Sequence, residues 1–509
     1  MTTEILSLAK YLASSRSEFA LLEMNQYLSR KYEEKELYAI LKPHFYDLDL
    51  FCSADYKCTK LVKGPLPSDE GIVSELEAVF KNPGLPLSME KLIESYIERS
   101  CGKNWHKGET ATHIRENIVK QKEEYWKGEG KEKGKEKVKG EGESRYPGIR
   151  IISYLLYHFP VYFCQYQYLL LELFKGGVLM NKMSIVDVGS GPGTITLSTL
   201  DFLRKLQDIY SRNKMDVKLN IRIGSIEHEL ENIRCYRELT SGFLLSGNAY
   251  ISNSNITIDE PVHSPVETAP VPGDVDLIIF SNVLAELRSL PHERADIVER
   301  IASVSKNPTL VIIEPADLDN SKALRISQHA LIKKGFNVYS PCSFIWGRLC
   351  SGINCWSFQE PGNITVPGFM EKIADTVDSY RYLNTDMKFS SVILRKDRLT
   401  KHAYRAKGKI MALTNLKKHI KKHINVAASV MSGNLGDKKT FVFKICDGTA
   451  SSPCYAVMPV YHMSENNRAL IDAGYGDIIE ISGTLVRENV EQSSFNLFVT
   501  RNTIVNIVG

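Results

Sequence analysis

One short run constrains this chain more than any other: Ile185-Val186-Asp187-Val188-Gly189-Ser190-Gly191-Pro192-Gly193. An apolar strand ends in glycines and a helix is expected to follow. Gly189 and Gly191 permit a tight turn with close backbone approach, and the free amides of the following helix face whatever the turn holds. A phosphate-cradling P-loop needs GxxxxGK[ST], and this loop has Asp187 ahead of it and no such Lys. It also departs from the GxGxxG dinucleotide fingerprint. A strand-turn-helix of this kind belongs in an alternating α/β sheet. Further apolar runs start at Lys218, Val275, Thr309, Phe336 and Phe389, with helix-like segments such as that from Ser321 between most of them. The pattern predicts a doubly wound α/β sheet.

The sheet accounts for only part of the 509 residues, which at roughly 150 residues per domain suggest about three domains. Residues 1–126 read as a helical N-terminal region. Residues 127–144, almost entirely Lys, Gly and Glu, cannot bury enough apolar surface to offset their ordering entropy and read as a flexible linker. Residues 145–398 form the α/β domain, and 399–509 a basic connector with a β-rich end. In that end three strand-like runs, a short helix-like piece (SENNRALIDAG) and two more strands follow one another, the order of an OB-fold barrel.

Composition excludes collagen-like, wholly disordered and small disulfide-stapled classes: hydrophobic residues are 43% and charged residues 24%. The net charge of +4 is too mild to imply nucleic acid, so its distribution matters. Basic residues crowd the stretch from Arg395 to His423, against one acid, Asp397. The start, MTTEILSLAKYL, has neither a secretory nor a transit pattern, which points to a reducing cytoplasm. The most apolar stretch, Ile151–Phe174, is interrupted by His158, Pro160, Gln165, Gln167 and Glu172 and reads as a buried helix pair, not a membrane span.

The loop DVGSGPG resembles motif I of class I S-adenosylmethionine-dependent methyltransferases. That resemblance implies that Asp187, Gly189, Ser190, Gly191 and Gly193 bind the cofactor. Glu227 closes the second strand, where an acid can accept the ribose hydroxyls; a solvent-facing carboxylate is the plainer alternative, and Glu229 lies too far along. Asn282, at the end of the fourth strand, is a further cofactor candidate. The Asn/Asp-Pro-Pro-aromatic motif of adenine N-methyltransferases and the Pro-Cys of cytosine C5 chemistry are both missing there. The methyl acceptor and the catalytic residues are therefore unassigned, and methyl transfer can run on positioning alone.

Three of the ten cysteines, Cys342, Cys350 and Cys355, fall in one loop after the sixth strand. No CxxC pair occurs and no His lies within the loop, so a ligand set would be rich in thiolate, suiting zinc or iron–sulfur. Buried cysteines gathered by chance remain the alternative unless a fourth ligand exists. Cys446, ending a strand at a turn, is the candidate, with Cys454 second. A metal completed by Cys446 would clip the barrel onto the α/β domain.

The combination resembles the small-ribosomal-subunit-associated methyltransferase-like family, known from mitochondrial ribosome assembly factors and prokaryotic relatives. The matching stretches are YLLYHFP from Tyr154, Asp187 to Gly193, DLIIFSNVLAEL from Asp276, Ile313-Glu314-Pro315, the spaced cysteines with Trp356-Ser357-Phe358, Cys446-Asp447-Gly448, and Tyr475-Gly476-Asp477. The resemblance implies a class I methyltransferase sheet, S-adenosylmethionine binding, a [4Fe–4S] cluster on Cys342, Cys350, Cys355 and Cys446, and work on the small ribosomal subunit and its rRNA. The spacer between Cys342 and Cys350 is longer and more hydrophobic than in relatives, which keeps zinc open as the metal. Three functions follow: a methyltransferase acting on rRNA or a ribosomal protein; a non-catalytic, cofactor-binding assembly factor that grips RNA through the basic stretch and barrel; and a protein methyltransferase unconnected with ribosomes.

Overall fold

A computed structural model describes residues 2–127, 148–245, 253–271, 273–347, 349–350, 355–406 and 409–509. The expected charged linker, 127–144, lies outside these except for Lys127. Two compact units are present. The first takes in Met1–Lys127, Lys131–Leu277 and Ile364–Thr385; the second takes in Ile278–Asn363 and Asp386–Gly509.

In the first unit the N-terminal region is not purely helical. Strands β1 (Glu18–Ala20), β2 (Leu50–Cys52) and β3 (Lys57–Lys60) form a small antiparallel sheet in the order β1-β3-β2. Strands this short carry too little alternation to stand out from helical periodicity. The apolar stretch from Ile151 forms two buried helices, Ile149–Tyr157 and Phe159–Lys175, and no described helix is long and apolar enough to cross a membrane.

Strands β4 (Lys182–Val188), β5 (Leu219–Glu227), β6 (Ser254–Ile258) and β7 (Val262–His263) complete this unit's sheet. β4 and β6 flank β5 in parallel, and β7 also pairs β5. Parallel strands buried on both faces read as continuous apolar runs, and β4 is buried along nearly all its length. β6 was not legible as a strand: only Ile256 and Ile258 alternate within it.

β8 (Leu277–Ser281) crosses into the second unit, where β9 (Thr309–Pro315), β10 (Asn337–Ser340) and β11 (Phe389–Arg395) follow. The strand order there is β8-β9-β11-β10, and β11 runs antiparallel to both of its neighbours. Strands and helices alternate through this part of the chain, as the sequence pattern predicts.

The same unit holds a closed barrel: β12 (His423–Val430), β13 (Thr440–Cys446), β14 (Cys454–Pro459), β15 (Ile478–Asn489) and β16 (Ser494–Phe498). The ring runs β12-β13-β14-β16-β15 and closes by pairing β15 with β12; β14 and β16 are parallel. Closure removes the exposed sheet edges. A short helix, Ala469–Asp472, lies between β14 and β15, giving the expected OB-like order. The last run read from sequence is two strands, β16 and β17 (Ile504–Ile507), separated by the turn around Thr500 and Thr503. Val426, Ala428, Val430, Phe443, Ile445, Ala456, Met458, Ile479 and Ile481 pack the barrel core.

Candidate functional sites

The glycine loop leaves β4 and enters the helix Thr194–Arg212. The amides of Gly189 and Ser190 donate to the Ile226 carbonyl at 2.8 and 3.1 Å, tying the turn to the end of β5. Gly189, Gly191 and Gly193 all have positive φ. At Gly193, φ is +94° and an added Cβ would lie 3.0 Å from the Tyr236 ring, so conformation and space both demand glycine.

Asp187 is 1% exposed. Its Oδ2 accepts from Thr196 Oγ1 at 3.1 Å, while Oδ1 has no partner among the described residues. Burial raises its carboxyl to about 7, against the bond from Thr196. The buried Ser190 hydroxyl is likewise unpartnered. Such orphaned polar atoms are costly unless a ligand or water satisfies them.

Glu227 ends β5 and is buried. Its Oε2 accepts the Gly191 amide at 2.8 Å and its Oε1 accepts the amides of His228 and Glu229 at 2.9 and 2.8 Å. A carboxylate has about four acceptor positions, so Glu227 organises the loop with little acceptor capacity left for a ribose. The residues Asp187, Gly189, Ser190, Gly191, Gly193 and Glu227 thus come together in the first unit.

Asn282 belongs to the second unit. It has φ +57°, is buried, and donates its amide to the Ile313 carbonyl at 2.8 Å. The loop after it is clamped by Glu314, whose Oε1 and Oε2 accept the amides of Leu284 and Ala285, both at 3.0 Å. Burial raises the Glu314 carboxyl to about 8.

Also in the second unit, Cys342, Cys350, Cys355 and Cys446 line one cavity together with Arg325, Gln328 and His329. Each sulfur has a polar neighbour. Gln328 Nε2 donates to Cys342 at 3.5 Å, His329 Nε2 lies 3.5 Å from Cys350, Lys444 Nζ is 3.6 Å from Cys355, and the Gly448 amide donates to Cys446 at 3.4 Å. Burial pushes the Cys342 thiol up to about 11, and the Cys446 thiol also lies well above its usual range, from burial and then from its neighbouring cysteines. No group of three or more His, Cys, Asp or Glu that could hold a metal occurs among the described residues as they stand. The donor set itself, four thiols with hydrogen-bond donors around them, is of the kind that holds zinc or an iron–sulfur cluster.

Strand parity separates the two candidate fourth cysteines. Phe443 and Ile445 face the barrel core, so Cys446 faces out, to the cavity. Cys454 shares the inward face of β14 with Ala456 and Met458 and is part of that core.

Arg325, Gln328 and His329 were missed from sequence. They recur at helical spacing on Leu318–Lys333, a signal that means nothing until the helix face is known. The Arg325 guanidinium, 1% exposed, donates to Ser357 Oγ, Gln328 Oε1, the Ser391 carbonyl, Ser390 Oγ and the Tyr475 hydroxyl at 2.5–3.3 Å.

The basic stretch is not one surface. Arg395 is buried against Asp397 and Thr309, and Lys401 bonds Asp477 at 3.0 Å, so neither is free for phosphate. Arg405, Lys409, Lys417, Lys418, Lys421 and Lys422 are exposed.

Residues 149–350 match the family model described as "Mitochondrial small ribosomal subunit Rsm22", and residues 414–508 match that of the C-terminal domain of a family of unknown function, DUF8157. No curated protein matches. Among solved structures the chain is similar to a protein from Listeria monocytogenes assigned as a class I S-adenosylmethionine-dependent methyltransferase (10% identity, 64% of this chain and 91% of that one, TM-score 0.25). It is also similar to a protein from Klebsiella pneumoniae assigned as an O-methyltransferase (10%, 59% and 94%, TM-score 0.23). A protein from Leishmania major Friedlin assigned as an aspartyl-tRNA synthetase matches at 17% identity over 22% of each chain, with TM-score 0.16, so this chain spans about a fifth of its length. Scores this low transfer no activity.

Proposed function

We propose that this chain is a methyltransferase-like factor of the small ribosomal subunit that binds S-adenosylmethionine in its first unit and a [4Fe–4S] cluster in its second. The observation that carries the reading is the family-model match over 149–350, which includes the glycine loop, Cys342 and Cys350. The cofactor site of the first unit comprises Asp187, Gly189, Ser190, Gly191, Gly193 and Glu227. The orphaned Asp187 oxygen and Ser190 hydroxyl support this reading, because the cofactor's ammonium and polar groups would satisfy them. S-adenosylmethionine supplies an activated methyl group; the chain's part is to bind, orient and exclude water.

Cys342, Cys350, Cys355 and Cys446 are the proposed cluster ligands, with zinc as the alternative occupant. Exposed Lys417, Lys418, Lys421 and Lys422 at the entry to β12 are the proposed rRNA contacts. The domain boundaries at 126, 144 and 398 and a cytoplasmic location belong to the same reading.

Two measurements test it. Anaerobic purification with iron, sulfide and zinc analysis should give about four irons per chain; zinc alone would replace the cluster, and no metal would remove it. Calorimetric titration of S-adenosylmethionine should show binding that Gly191→Leu abolishes. Small-subunit maturation that survives Gly191→Leu would favour an assembly factor over an enzyme.

A further inference from the structure

The second unit buries two cations beside four thiols. Arg325 is 1% exposed and Lys444 is 9% exposed. Among the described residues the hydrogen bonds from Arg325 go to uncharged groups: three side-chain hydroxyls, an amide oxygen and a backbone carbonyl. Lys444 Nζ donates to the Trp356 carbonyl at 2.5 Å and reaches Cys355 Sγ. Asp447, beside Cys446, is already engaged by Trp346 Nε1 at 2.9 Å, the Leu413 amide at 2.8 Å and Thr449. No carboxylate bonds either cation among the described residues. A buried charge without an opposite partner is strongly destabilising. The groups left to balance these cations are the cysteine sulfurs: Gln328 relays from Arg325 to Cys342, and Lys444 reaches Cys355 directly.

We propose that Arg325 and Lys444 are the counter-charges of an anionic centre held by Cys342, Cys350, Cys355 and Cys446, Arg325 acting as a positioning residue through Gln328. This rests on the reading of those cysteines as ligands. Four thiolates around a zinc ion, or around a [4Fe–4S] core of charge +2, leave a net charge of about −2, which two cations match. Tyr475, three residues before the start of β15, bonds the same guanidinium at 2.8 Å. The charge that balances the centre is therefore also held by the barrel.

The test uses the full chain, purified anaerobically and loaded with ferrous iron and sulfide or, separately, with zinc. The readouts are metal per chain, the rate of metal loss to EDTA, and the midpoint potential of the iron-loaded form. Arg325→Gln and Lys444→Gln should lose metal about 10- to 100-fold faster than the unmodified chain, and their potentials should fall because a nearby positive charge is gone. Arg325→Lys keeps the charge without the guanidinium fork and should stay close to the unmodified chain in both. Equal losses in Arg325→Lys and Arg325→Gln would overturn the proposal, because shape and not charge would then matter; so would metal retention in both Gln variants. Should Arg325→Gln fail to fold by circular dichroism, Lys444→Gln decides the question alone. An unmodified chain that takes up no metal would instead overturn the reading of the cysteines, and the proposal with it.

Discussion

The glycine-loop site and the cysteine cavity are built in opposite ways. The first is local. Asp187 to Gly193 are contiguous, and the partners from elsewhere, chiefly Glu227, come from the adjacent strand in register. The second is assembled from a helix, a long loop and the end of a barrel strand, with Gln328, Cys350 and Cys446 far apart in sequence. A local site tolerates distant change and fails when its own backbone is altered. An assembled site can fail at any of several distant residues.

The sharpest contrast comes from the loop itself. Gly193→Val should lower S-adenosylmethionine affinity by about 100-fold or more, combining strain at φ +94° with the clash against Tyr236. Calorimetry would measure this, and metal content should be unchanged. If both were lost, the sites would not be independent.

On the other side, Cys446→Ser should lower metal affinity by about 10- to 100-fold while leaving cofactor binding intact. Cys454→Ser should leave metal content alone and destabilise the barrel core by about 1–3 kcal/mol, from burying a hydroxyl. Elemental analysis with thermal unfolding separates the two; equal metal loss in both would break the parity argument.

Asp187 gives a pH test confined to the first site. Its folded carboxyl is raised by burial to about 7. A group raised in this way contributes stability below its ordinary range, near 4, and loses it as pH rises towards 7, at up to roughly 1.4 kcal/mol per pH unit. Asp187→Asn should therefore be more stable than the unmodified chain at pH 8 without cofactor, and that gain should vanish near pH 4. Thermal unfolding at both pH values checks the sign. A constant difference would mean that Asp187 is not the titrating group.

The smallest effect concerns the basic stretch. Alanine at Lys418 or Lys421 should reduce the salt dependence of RNA binding by about one unit of slope per lysine. Lys401→Ala should leave the slope unchanged because that side chain is held by Asp477. Filter binding across a salt series would show it, and equal slopes for all three would restore the stretch as one surface.

Both sites were legible to different depths. The loop glycines and Asp187 could be read directly, because a strand-turn-helix is dictated by neighbouring residues. Even there, the sequence did not show that Glu227 bonds the loop amides. The four cysteines could be picked out by clustering and strand-end position, and the parity of Cys446 against Phe443 and Ile445 was open to reading as well. The barrel order was legible because short alternating runs keep their period of two, whereas β6 and the small N-terminal strands were too short to show it.

By itself, the sequence determined the α/β alternation, the sharp glycine turn and the supply of thiols, since each depends on local backbone geometry or residue chemistry. Only the tertiary structure decided which charges face those thiols. Arg325 and Lys401 look like ordinary basic residues in the chain. One lines the cysteine cavity, buried, with uncharged hydrogen-bond partners among the described residues, and the other is paired with Asp477. Burial and partner identity arise from packing between segments far apart in sequence, and electrostatic energy depends on both.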